Sequence, residues 1–286
     1  MDAVHGFLLE DLDIRGALVQ LGPSWATIAG RRNYAAPVRE LLGELAAVTA
    51  LIGSNLKTPG RLSFQVQGHG PVSMLVMDCN EQLHLRGMAK SELAADAEAH
   101  VAGVADLLGD GRLVLTLQPQ TAQTPYQSVV PLAGNTLAAI FEHYLAQSEQ
   151  QPARLWLAAT ADTACGLFLQ KLPGADLRDA DGWNRIEQLA ATVRPEELAL
   201  PPEILLTRLF NEETVRLYPP RAAAWHCPRD EEKVRNMLLS LGREEVESML
   251  ADAEAIAIED EICGHEYRFG PEIVDELFPP DGRLLH

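Results

Sequence analysis

Two strand-like runs between residues 61 and 78 constrain the fold more than any other feature of the sequence. In RLSFQVQ (61–67), apolar residues alternate with polar ones, and VSMLVMD (72–78) is a second strand-like run. The segment GHGP (68–71) separates them. Alternation with a period of two is typical of a strand with one buried face, and a short segment rich in glycine and proline favours a tight turn. The two runs therefore predict a β-hairpin.

Further strand-like and helical patterns surround this hairpin. Strand-like segments occur at 82–88, 112–118, 126–132, 154–160 and 165–173. Helical spacing of apolar residues occurs in two segments, one beginning at Pro37, a favoured first helical position, and one for which Asn135 is a candidate N-cap. Runs of strands with a few inserted helices predict an α+β domain over residues 1–180, not a regularly alternating βαβ fold.

The remaining sequence divides into a connector and a small terminal unit. Residues 181–224 have helical patterns broken at Pro195 and Pro201, which predict several short helices. In residues 225–286, two helical patterns around Gly242 are followed by segments that predict a hairpin and a closing helix. A unit of this size has little core of its own, and such units frequently contain a metal ion or a disulfide.

Composition excludes several classes of function. The chain of 286 residues has a net charge of −18 and no clustered basic stripe, so nucleic acid is not an expected partner. Its longest apolar stretch, AAVTALIG, is too short to span a membrane, and the acidic amino-terminal segment lacks the basic region of a signal peptide. We therefore expect a cytoplasmic protein, in which four cysteines indicate buried thiols, metal ligands or redox chemistry.

The sequence resembles the heat shock protein 33 family, which comprises redox-regulated holdase chaperones. The resemblance rests on IRGALVQL, the QVQGHGP turn, the long segment YQSVVPLAGNTLAAIFEHYLAQSEQQPARL and, near the end, KVRNMLLSLGREEVESML and EYRF. In the family, a terminal zinc-ribbon-like domain binds one zinc ion through Cys-x-Cys and Cys-x-x-Cys. The alignment of these segments places Cys227, Arg229, Asp260 and Cys263 at the first to fourth ligand positions.

The resemblance implies an ATP-independent chaperone that forms a homodimer and binds unfolding client proteins. In the family, oxidation expels zinc, forms two disulfides, unfolds the terminal domain and releases the connector. Candidate client-binding residues in the connector are Trp183, Ile186, Leu189, Ile204, Leu205, Leu209 and Phe210. The alternative for each of these residues is a permanently buried position in the core.

This chain departs from the family at the zinc site, because two of the four thiols are absent. Arg229 cannot ligate a metal, since a guanidinium stays protonated. Three alternatives remain: an ion pair between Arg229 and Asp260 that replaces the metal, a solvated surface, or a mixed site. The mixed site would use Cys227, Cys263, Asp260, His226 and His265. We expect no zinc and a short distance between the two cysteines, while Cys79 and Cys165 are expected to be incidental packing or surface residues.

An enzyme is not expected, because the sequence contains neither a glycine-rich phosphate loop nor a nucleophile elbow. Two other functions remain open beside the holdase. One is a thiol-based redox sensor or oxidoreductase that uses Cys227 and Cys263. The other is a constitutive protein-binding module without redox function.

Overall fold

The structure, a computed structural model, describes residues 2–56, 58–96, 103–121, 124–132, 134–251 and 253–279. The chain divides into two compact units, Met1–His226 and Cys227–His286. The predicted α+β class is confirmed, and the helices of the predicted connector lie within the first unit. Among the described residues, no helix combines the length and apolar character that a membrane crossing requires.

Two sheets form the framework of the first unit. The first has the strand order β10-β1-β2-β9-β8, with β11 also paired to β1, and the second has the order β12-β5-β4-β3-β6-β7. The strands are β1 (Ala3–Leu9), β2 (Ile14–Leu21), β3 (Gly60–Gly68), β4 (Val72–Cys79), β5 (His84–Ser91), β6 (Gly111–Pro119), β7 (Tyr126–Pro131), β8 (Ala153–Ala159), β9 (Ala164–Lys171), β10 (Val215–Leu217), β11 (Arg221–Ala222) and β12 (Ala224–Trp225).

The predicted hairpin is confirmed as β3 and β4, which pair antiparallel with Phe64 opposite Met77. Both side chains are buried, because the alternation in β3 places Leu62, Phe64 and Val66 on one face of the second sheet and the cross-strand partner Met77 lies on that face. A further antiparallel neighbour on each side, β6 and β5, places the hairpin in the middle of this sheet.

The helices of the first unit pack between and around the sheets. They are α1 (Pro23–Gly30), α2 (Ala36–Ser54), α3 (Val104–Leu108), α4 (Leu137–Glu149), α5 (Ala175–Arg178), α6 (Gly182–Ala190), the 3₁₀ helix Pro195–Ala199 and α7 (Pro202–Leu209). Helix α2 contacts strands of both sheets, so twelve of its 19 residues are buried. Pro37 stands in its first turn as predicted. The N-cap of α4 is Thr136 and not Asn135, because the Thr136 hydroxyl accepts a hydrogen bond from the Ala139 N–H.

The first sheet is covered on both faces. One face packs against α2 and the larger apolar core, and α6, the 3₁₀ helix and α7 cover the other. Strand β9 shows the result directly, since Phe168 belongs to the first core and its neighbours Leu167 and Leu169 belong to the second. A strand buried on both faces needs an almost continuous apolar sequence. The run CGLFL in β9 has this property.

The second unit has the predicted order of two helices, a hairpin and a closing helix. The elements are α8 (Glu231–Leu241), α9 (Arg243–Ala251), β13 (Ile256–Asp260), β14 (His265–Phe269) and α10 (Glu272–Leu277). Residues 280–286 of the predicted unit lie outside the described residues. A small core of buried side chains joins the elements: Leu238, Val246, Ile256, Tyr267, Phe269, Ile273 and Val274.

Candidate functional site

Cys227 and Cys263 form a disulfide in the second unit. Cys227 precedes α8 and Cys263 lies in the turn between β13 and β14, with a Cα–Cα distance of 6.3 Å. The expected short distance between the two cysteines is therefore confirmed. Both are buried, and His265 at the start of β14 places its Nε2 atom 2.7 Å from the carbonyl oxygen of Cys227. The segment before α8 is thus attached to the hairpin by a covalent bond and by a hydrogen-bonding contact.

Asp260 shapes the hairpin turn that carries Cys263. Its Oδ1 atom accepts hydrogen bonds from the backbone N–H groups of Ile262, at 2.9 Å, and of Cys263, at 3.3 Å. Gly264 follows with a φ of 61°, in the left-handed region that glycine adopts without steric cost. Asp260 therefore satisfies backbone donors that the β-ladder leaves unpaired.

Arg229 has a different environment from the one predicted. Its guanidinium lies over the ring of Tyr267, with Cζ 4.8 Å from the ring centroid, and donates a hydrogen bond to the backbone oxygen of Glu266. The Tyr267 hydroxyl accepts a hydrogen bond from the Asp230 N–H at 2.9 Å. Within the described part of the unit, Arg229 and Asp260 form no ion pair, so that prediction is wrong. Arg229 interacts instead with the ring of Tyr267, and Asp260 with the backbone amides of the turn.

The residues of this site do not fit a four-thiolate zinc centre. The candidate ligand atoms of Cys227, Cys263 and His265 lie within 4.8 Å of one another, but the two sulfurs are bonded to each other and are not thiolates. Asp260 is engaged in the turn. His226, also considered for a mixed site, belongs to the first unit, where its ring lies 4.5 Å from that of His84. The structure thus brings three of the five residues considered for a mixed site into one cluster.

The other two cysteines are packing residues of the first unit. Cys79 ends β4 and Cys165 lies in β9, and both are almost completely buried. Burial raises the pKa of the Cys79 thiol to about 12 and that of the Cys165 thiol to about 11. Both are therefore protonated near neutral pH and are poor nucleophiles, which agrees with the predicted packing role.

The candidate client-binding residues form part of a closed apolar layer. Ile186, Leu205, Leu209 and Phe210 are buried against the outer face of the first sheet, beside Phe7, Leu18 and Leu167. Trp183 and Leu189 are partly buried at the edge of the same layer. Ile204 is different, because half of its surface is exposed. In this conformation the connector covers apolar surface of the first sheet. Release of the connector would expose apolar side chains on the sheet and on the connector itself.

Polar contacts that sequence reasoning missed attach the connector to the sheet. The Nε2 atom of Gln20, in β2, donates to the backbone oxygens of Leu198 at 2.8 Å and Leu200 at 2.6 Å. Arg154, in β8, forms an ion pair with Glu187 of α6, with Nε and Oε1 2.6 Å apart. The one available signal was a glutamine within the otherwise largely apolar strand segment ALVQL.

Within the connector, an acidic side chain links the 3₁₀ helix to α7. Glu197 accepts hydrogen bonds from Arg194 and forms a 2.7 Å ion pair with Arg208. The hydrogen bonds from the side chain and backbone of Arg194 are the main cause that lowers the pKa of Glu197 to about 2. The carboxylate therefore remains charged at any physiological pH.

Comparisons with known proteins agree with this architecture. The profile of the family described as Hsp33 protein matches residues 2–270. A relative named 33 kDa chaperonin, from Methylobacillus flagellatus, is 40% identical over 97% of this chain and 94% of its own length. Another of the same name, from Vibrio cholerae, is 38% identical over 99% of this chain and 98% of its own length.

A solved structure shows the same fold. The crystal structure of the 33 kDa chaperonin (heat shock protein 33 homolog) from Thermotoga maritima superposes with a TM-score of 0.81. It is 22% identical in sequence, and the match covers 97% of this chain and 98% of the other. Fold, family profile and near-full-length relatives lead to one conclusion: this chain belongs to the Hsp33 family.

Proposed function

We propose that this protein is an ATP-independent holdase chaperone that binds unfolding client proteins and prevents their aggregation. One structural observation carries the proposal beyond family membership. The connector covers an extended apolar face of the first sheet with Ile186, Leu205 and Phe210. Burial of each large apolar side chain of this kind stabilises the fold by about 1.5–3 kcal/mol. Release of the connector would therefore expose apolar surface that favours binding to the apolar segments of unfolded proteins.

The attachment of the connector is suited to reversible release. Gln20 and Arg154 provide polar contacts to it, and the Arg154–Glu187 pair is partly exposed to solvent. Exposed or half-exposed ion pairs contribute about 1 kcal/mol or less. The apolar layer under the connector is smaller than the core around α2, so heating is expected to release the connector before that larger core unfolds. We therefore propose heat as the trigger for client binding.

The redox response follows from the disulfide. In a four-thiolate domain, oxidation removes zinc and with it much of the folding free energy, on the order of 10 kcal/mol. Here the Cys227–Cys263 bond closes a segment of 36 residues, which stabilises the folded unit by about 4 kcal/mol in the chain-entropy description. Oxidation then stabilises the second unit instead of unfolding it, and the unit needs no zinc to fold.

Light scattering of a thermally unfolding client enzyme tests the proposed activity. We expect near-stoichiometric suppression of aggregation without ATP, to a similar extent with peroxide-treated and thiol-reduced protein. A thiol oxidoreductase would instead act at substoichiometric amounts and turn over. Unchanged scattering with excess protein in both redox states, above the temperature at which the connector melts, would remove the holdase function.

A further inference from the structure

A largely apolar cavity lies in the first unit, away from the connector layer. Its volume is about 320 Å³, and it lies between the end of α2, strands β2 and β9 of the first sheet, strands β3, β6 and β7 of the second sheet, and α4. Leu51, Leu117, Leu145 and Phe168 contribute apolar walls. This volume is at the small end of the range of ligand sites, about 300–1,000 Å³. The apolar walls and the size suit a small molecule with an apolar body.

Several polar side chains also line this cavity, among them Arg15, Arg61 and Gln170. Gln170, in β9, is only 2% exposed, and its Oε1 atom accepts a 2.7 Å hydrogen bond from Arg15 Nε. Its Nε2 group finds no acceptor among the residues that the structure describes. Because its oxygen is held by Arg15, the amide nitrogen of Gln170 remains available as a donor to a ligand in the cavity.

The charge at the cavity is positive, in a chain of net charge −18. Arg15 and Arg61 both line it, and neither forms an ion pair with a carboxylate of the described residues. Arg61 is exposed at the start of β3. Two guanidinium groups and an amide donor beside apolar walls are complementary to a carboxylate attached to an apolar chain.

We propose that this cavity binds an amphipathic organic acid of the medium-chain fatty acid class. The chain lies between Leu51, Leu117 and Phe168, and the carboxylate accepts hydrogen bonds from Arg15, Arg61 and Gln170 Nε2. The assignment does not depend on holdase activity, since the cavity involves none of the connector residues proposed to release clients.

Calorimetric titration of the full chain with decanoate, below its micelle concentration, tests the proposal. We expect one saturable site, with roughly tenfold weaker binding of octanoate because two fewer methylene groups are buried. Decanol, which has the same chain without the charge, should bind at least roughly tenfold more weakly, since charge-assisted hydrogen bonds are lost.

Two variants locate the site. Arg61→Gln lies at an exposed position and should fold normally, but should weaken decanoate binding roughly tenfold or more. Arg112→Gln, an equal charge change at an exposed arginine of β6 that does not line the cavity, should bind as the unmodified protein does. Absence of decanoate binding, equal binding of decanol, or unchanged affinity of the Arg61→Gln variant would each overturn the proposal, whatever the outcome of the aggregation assay.

Discussion

Cys227 and Cys263 are joined in a disulfide that attaches the segment before α8 to the hairpin turn, across 36 residues of sequence. Two of the four positions that bind zinc in the Hsp33 family are thus joined by a covalent bond in this chain. The other two have new local roles, Arg229 over the ring of Tyr267 and Asp260 in the turn. In the structure, a disulfide and polar contacts among the unit's own residues hold these four positions.

The first prediction concerns the disulfide. Reduction, or the double substitution Cys227→Ser and Cys263→Ser, should lower the free energy of unfolding of the second unit by about 3–4 kcal/mol, because the unfolded segment regains its conformational freedom. Circular dichroism melts of matched oxidised and reduced full-length protein measure this. Either single substitution should have nearly the effect of the pair. Helix loss on oxidation, with a large gain in client binding at moderate temperature, would contradict it.

The second prediction concerns zinc. Reduced protein dialysed against a mild chelator should retain far less than one equivalent and keep its helical content, because the site holds only two cysteines, with Arg229 at one former ligand position. The double substitution Arg229→Cys and Asp260→Cys should restore tight binding of one zinc ion under reducing conditions. Arg229→Cys alone is the matched control and should bind more weakly. One tightly held equivalent in the unmodified protein, with unfolding on its removal, would favour a mixed site with His265.

The third prediction concerns release of the connector. Gln20→Ala removes two hydrogen bonds, about 1–2 kcal/mol, and Arg154→Gln removes the ion pair to Glu187. Both variants should suppress client aggregation at a lower temperature than the unmodified protein. Hydrogen exchange of residues 182–209 should rise in parallel. Arg243→Gln, which removes two exposed ion pairs in the second unit, is the control and should leave both measurements unchanged.

The fourth prediction concerns pH. Burial, with a smaller effect of neighbouring Glu40, raises the pKa of Glu44 from 4.5 to about 7. Between these values the folded protein holds a proton that the unfolded chain has released, so stability falls as pH rises through about 7. Glu44→Gln should therefore be more stable than the unmodified protein by about 2–3 kcal/mol at pH 8, with little gain below pH 5.

Denaturant titrations at several pH values measure this difference. Glu40→Gln, at an exposed position on the same helix, is the control. It should retain most of the pH dependence, because burial is the larger cause of the shift. Equal pH dependence of the Glu44→Gln variant and the unmodified protein would show that Glu44 is ionised in the folded state.

The fifth prediction concerns the remaining thiols. Since burial raises the pKa values of Cys79 and Cys165 to about 12 and about 11, neither should react with a thiol reagent in native oxidised protein at pH 8. The same protein in denaturant without reductant should show two thiols, and four after reduction. Rapid labelling of either thiol in the native protein would contradict the prediction, because it would show that the thiol is less buried than in the structure.

Much of the fold could be predicted from the sequence, because the signals are local. The β3–β4 hairpin follows from alternation around a glycine-rich turn, and α2 follows from helical spacing behind Pro37. The order of elements in the second unit is local in the same way. The proximity of Cys227 and Cys263 could also be predicted, because both align with zinc-ligand positions of the family, and the ligands of one metal ion must lie close together in the fold.

Only the tertiary structure decided where the partners of individual side chains lie. Local patterns cannot tell that the second face of β9 is covered by a connector distant in sequence, or that Gln20 in β2 bonds to Leu198. Nor could they tell that Arg229 stacks on Tyr267 while Asp260 caps a turn. The two residues occupy zinc-ligand positions of the family, which brings opposite charges near each other and favours an ion pair. Periodicity determines which residues are apolar on which face, whereas the free energy of each polar contact depends on competing partners that only the folded chain brings within reach.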